Sequence, residues 1–122
     1  MPGEVARASG ASISDLTGEL SAVLGAAYEA FMLVRLERRA GRRGKVHART
    51  ARNFIEMVAE MITAASGDNP DTLWLMAISE LDRDRGEIEA DVLAHHGFVV
   101  PEHEWAAFLE WVGQVRASQS VQ

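Results

Sequence analysis

Cysteine is absent from the 122 residues, which excludes a disulfide framework, a Cys-ligated zinc or iron-sulfur site and a thiol nucleophile. Three prolines and ten glycines leave little room for the many turns of an all-β fold. Long apolar runs are missing too. The greasiest window, Leu20 to Leu36, contains Glu29 and Arg35 and stays short of the roughly 20 apolar residues that span a bilayer. The opening stretch MPGEVARASGAS has no apolar segment behind a basic start, so no export signal is read there and a soluble, cytoplasmic protein is expected.

Several chemical signatures are also lacking. There is no G-x-x-x-x-G-K-[ST] or G-x-G-x-x-G phosphate loop, no HExxH pair and no serine in a G-x-S-x-G setting. The Glu-x-x-His pairs that build di-iron sites in helical bundles are absent, because Gly44, Val92, Leu93 and Val100 stand three residues before His47, His95, His96 and His103. These absences point away from catalysis, and no cofactor is expected.

What remains is 48% hydrophobic and 25% charged, enough apolar material in one chain of this length for a single core. Ile13, Leu16, Leu20, Val23, Ala27, Phe31 and Val34 recur at spacings of three and four, and so share one helical face. Ser12 and Asp15 have the spacing of a capping box, which predicts a first helix from about Ser12 to Arg39, roughly 40 Å long at 1.5 Å per residue. Leu24, Tyr28, Met32 and Leu36 widen its stripe, so it needs more than one neighbour to cover it.

The glycines of GRRG, Gly41 to Gly44, predict a helical hairpin. A second stripe follows through Ala51, Phe54, Ile55, Val58, Met61, Ile62 and Ala65, ending at Ser66-Gly67-Asp68. Asn69, Pro70 and Asp71 form a strong helix start, followed by Trp74, Ala77, Ile78, Leu81, Ile88, Val92 and His95 on one face. Gly86 leaves open a kink or a break. His95-His96-Gly97 reads as a helix end, and a last helix from near Pro101 carries Trp105, Phe108, Leu109, Val112 and Val115. No window alternates with period two. The expectation is an all-α, single-domain bundle of four to five helices over 12–116, with flexible tails at 1–11 and 117–122.

The charges are segregated. The chain carries a net charge of −6, yet eight of its twelve basic residues fall in one short window: Arg35, Arg38, Arg39, Arg42, Arg43, Lys45, Arg49 and Arg52. Glu37 is the single acid among them, so the predicted hairpin tip is strongly basic in an acidic chain. Planar guanidinium forks suit bidentate contacts with carboxylates or phosphates. The alternative is pairing with the chain's own acids, chiefly Glu80, Asp82, Asp84, Glu87, Glu89 and Asp91, at about 0–1 kcal/mol per surface pair. No aromatic residue is interleaved with the basic ones, which argues against stacking of single-stranded bases.

Asp84, Glu87, Asp91 and His95 share one helix face and are weak metal-ligand candidates, to which Glu102, His103 and Glu104 could add. The more ordinary reading is a solvated acidic face. Trp111 falls off the core stripe of the last helix and, if exposed, suits a subunit or partner contact.

These features lead to a non-catalytic helical adaptor, regulator or assembly subunit. It is expected to form a homodimer and to meet an acidic protein partner through Arg38, Arg39, Arg42 and Arg43. The alternatives are a helical nucleic-acid-binding subunit that grips the phosphate backbone without reading bases, and a metal-binding or enzymatic bundle built on the acidic and histidine face.

Overall fold

The computed structural model describes the backbone of residues 2–65 and 69–121, with side chains described over 15–65 and 69–119. Among the described residues four helices follow in order: α1 Pro2–Arg39, α2 Lys45–Ala64, α3 Pro70–His96 and α4 Glu104–Val121. No strand occurs among the described residues. The bounds of α1 and α4 take in most of the segments expected as tails. α1 runs through Ser12, so the helix start expected there is not found; the Ser12 side chain of the expected capping box and the Ser66-Gly67-Asp68 helix end lie outside the described residues.

α1 is the element on which the others pack, most extensively α2 and α3. Its broad stripe explains why: Leu20, Leu24, Ala27, Tyr28 and Met32 have no exposed surface, and one neighbour covers only one side of a helix. From α2 come Ile55, Val58 and Ile62, from α3 Leu73, Trp74, Ala77, Leu81 and Val92, and from α4 Phe108, Val112 and Val115. Burying a side chain of this size contributes about 1.5–3 kcal/mol, so this shared core is the main source of stability.

α3 runs unbroken through Gly86. Its start matches the local chemistry, with the Asn69 side chain accepting from the Asp71 N–H at 2.8 Å and Pro70 in the first turn. Gly97 closes it in the left-handed region at φ 67°, donating its N–H to the Leu93 carbonyl at 2.9 Å. Phe98, just beyond, is buried in the core. Where α1 meets α3, a Cβ on Gly25 would sit 3.0 Å from Ile88 Cδ1, so this glycine lets the two helices approach closely.

The α1–α2 turn is built on two left-handed glycines, Gly41 at φ 81° and Gly44 at φ 68°. The Arg42 N–H reaches back to the Glu37 carbonyl at 2.9 Å, capping α1. Gly44 is buried against α1, and a Cβ there would lie 3.2 Å from both Cγ1 and the carbonyl oxygen of Val34. Gly41 has open space around it. Gly44→Ala is therefore expected to lose about 1–3 kcal/mol from the left-handed backbone alone, with further loss from the clash, whereas Gly41→Ala loses only the backbone part. Equal shifts in their urea unfolding midpoints would contradict this packing of the turn on Val34.

Candidate functional site

The hairpin gathers the eight basic residues at one end of the bundle, on the last turns of α1, the turn and the first two turns of α2. Their side chains fall into two groups. Arg35, Arg39, Arg42 and Arg52 are engaged within the chain. Arg42 is paired with Glu37, whose carboxyl it holds below the ordinary carboxylate range. Arg52 meets Glu56 at 3.3 Å and Ser118 Oγ at 3.4 Å. Arg39 lies over the Phe98 ring, 4.7 Å from its centre. Arg35 approaches Glu104 and also lies over Phe31 at 5.5 Å.

Arg38, Arg43, Lys45 and Arg49 are exposed, and no acidic side chain among the described residues pairs with them. Lys45 and Arg49 are four apart on α2 and so share a face. The helix end beneath them is electropositive as well: α2 has no side-chain cap and no acidic residue in its first turn. The acidic face of α3 does not neutralise the tip. Asp82 and Glu89 instead take Arg85 of their own helix, each at 2.8 Å.

Glu104, offered by the sequence as a possible addition to the acidic and histidine face, is instead fully buried at the start of α4. Arg35 Nε lies 2.6 Å from Glu104 Oε1, close enough for strong attraction but off-line for a hydrogen bond, and Oε2 has no hydrogen-bond partner. Burial pushes the carboxyl above its ordinary pKa, against the pull of Arg35, His103 and Arg39. A second polar group in the interior is Tyr28, whose hydroxyl donates to Glu89 Oε2. Burial and that carboxylate push the phenol above its ordinary value. Arg85 completes the group, bonding Glu89 and lying over Trp105 at 5.2 Å.

The acidic and histidine face behaves differently. Asp84, Glu87, Asp91 and His95 are all exposed, and His95 Nδ1 sits 2.8 Å from the Asp91 carbonyl oxygen. Among the described residues no three histidine, aspartate or glutamate side chains come together as a metal site. Nor is any described helix long and apolar enough to cross a membrane.

Trp111 is half-buried, its ring 5.4 Å from Phe31. Together with Val34, Ala48 and Ala51 these rings line a pocket of about 310 Å³ between α1, α2 and α4, close to the tip. Its rim carries Arg35, Arg38 and Arg52. Sequence spacing along one helix gives no sign of this pocket, because its walls come from three.

The buried carboxyl gives a pH test. Between its ordinary pKa, 4.5, and its raised folded value, the folded chain holds a proton that the unfolded chain has released, so stability falls as pH rises through that window. Relative to Glu104→Gln, the chain with Glu104 is therefore expected to gain stability as pH drops from 7 to 4.5, the ordinary carboxyl value. The difference in unfolding free energy between the two, measured by urea titration at both pH values, checks the sign.

Comparison with known protein families, with curated proteins and with solved structures finds no match for this chain.

Proposed function

We propose that this chain is a non-catalytic helical adaptor or assembly subunit that holds an acidic protein partner at the α1–α2 tip. The observation that carries this reading is the set of four exposed cations, Arg38, Arg43, Lys45 and Arg49, with no acidic partner among the described residues, beside an uncapped helix start. Glu37, the one acid between Arg35 and Arg52, is taken by Arg42. Arg39 and Arg42, named from the sequence as partner contacts, are held by Phe98 and Glu37 and act in this proposal as supports of the tip. Concentrated charge of one sign speeds and orients encounter with a complementary surface.

Homodimerisation is part of the proposal. Leu75 and Met76, adjacent on α3, are 65% and 37% exposed and offer apolar surface away from the tip. A second reading, a grip on a nucleic-acid backbone without base readout, draws on the same electropositive helix start, since free N–H groups and cations also suit phosphate.

Fluorescence anisotropy of a labelled ten-residue glutamate peptide, and of labelled single- and double-stranded DNA, at low and near-physiological salt separates the two readings. Replacing Arg38, Arg43, Lys45 and Arg49 together with Ala should weaken peptide binding at least tenfold while leaving the helical circular dichroism unchanged. DNA binding tighter than peptide binding, with a steep salt slope abolished in the same variant, would replace the first reading with the second. No binding of either probe at low salt would sink both.

A further inference from the structure

The pocket beside the tip is a place where a partner can be read as well as attracted. Its floor is a gap in α2. Ile55, Val58 and Ile62 fill the α1–α2 seam with large side chains, but toward the tip that helix presents Ala48 and Ala51, and volume is left unfilled. Phe31 and Trp111 are only half-buried, so their rings wall the gap while still reachable from outside. At about 310 Å³ the space lies at the small end of ligand pockets, which run to about 300–1,000 Å³. It therefore suits a single ring or a compact apolar group.

The rim decides what such a group is attached to. Arg35 is committed to Glu104, and Arg52 is turned toward Glu56 and Ser118. Arg38 has no acidic partner among the described residues, and it belongs both to the pocket and to the set of four exposed cations. It joins the apolar gap to the basic tip in one continuous surface.

We infer that the pocket receives one aromatic side chain from an acidic segment of a partner protein, whose carboxylates run over Arg38 and the other tip cations. The inference rests on the proposed acidic-partner function and adds the feature that gives it selectivity. Aromatic rings favour tilted and edge contacts of the kind that Phe31 and Trp111 already make with one another, at an interplanar angle of 38°. A buried aromatic anchor surrounded by charged contacts is also how a few residues come to dominate an interface. The tip cations supply attraction to acidic surfaces in general, and the pocket selects among them.

The test compares two fluorescein-labelled ten-residue peptides of glutamate and aspartate, identical except for a central Phe or Ala, against the full chain. The Phe peptide is expected to bind at least tenfold tighter. Ala48→Leu, at a half-exposed lining position, should fill the gap and bring the Phe peptide down to the affinity of the Ala peptide, while leaving the Ala peptide unaffected. In the unaltered chain, the indole N–H resonance of Trp111, assigned by its loss in Trp111→Phe, should shift with the Phe peptide and not with the Ala peptide.

Equal binding of the two peptides, or an undiminished preference for Phe in Ala48→Leu, overturns the pocket assignment and leaves the acidic-partner reading standing. Failure of both peptides to bind at low salt overturns both. Oligothymidylate that competes with the Phe peptide and is itself lost in Ala48→Leu would assign the pocket to a stacked base instead.

Discussion

A helix that buries Leu20, Leu24, Tyr28 and Met32 completely has to be covered on more than one side, and the placement of every other element follows from that cover. α2 and α3 take the two broad flanks, and α4 closes the remaining side with an aromatic group. The Tyr28 ring lies 4.9 Å from Phe108 and 5.2 Å from Trp105, and Phe31 lies 5.5 Å from Phe108. α1 makes few backbone-level contacts with α4, so these rings and the Arg35–Glu104 pair carry much of that contact. The tip and the pocket beside it inherit their geometry from this arrangement.

Among the polar side chains buried in that cover, Tyr28 and Glu104 differ in how well they are satisfied. Tyr28, Glu89 and Arg85 form a connected set in which each charge or hydroxyl has a partner. Glu104 has an opposite charge at 2.6 Å but an oxygen with no hydrogen bond, and burial works against its ionised form. Removing one partner of such a pair strands the other. That asymmetry keeps Arg35 facing inward, and it leaves Arg38, one turn further along α1, as the cation presented to the outside.

Much of the fold was legible in the chain. The stripes through Ile55, Val58 and Ile62, through Trp74, Ala77 and Leu81, and through Phe108, Val112 and Val115 are the buried faces of α2, α3 and α4. Asn69-Pro70-Asp71 and Gly97 bound α3 as their local chemistry requires. The site was only half legible. Charge segregation located the basic tip, but Arg39 and Arg42 could not be told from Arg38 and Arg43 by residue type. Their difference lies in Phe98 and Glu37, and only the fold brings the Phe98 ring under Arg39. Glu104 stood among exposed-looking neighbours, Glu102 and His103, with no local mark of burial.

The sequence by itself determined the helices, their buried faces and the basic hairpin, because helical periodicity, caps and charge content are local properties written within a few residues of one another. Tertiary structure alone decided that Arg35 meets Glu104 and Arg39 meets Phe98, that Glu104 is interior, and that Ala48, Ala51, Phe31 and Trp111 line a pocket. Each of those outcomes depends on side chains far apart in the chain meeting in space. Local pairs such as Arg52 with Glu56 follow from helical spacing, but these long-range contacts do not.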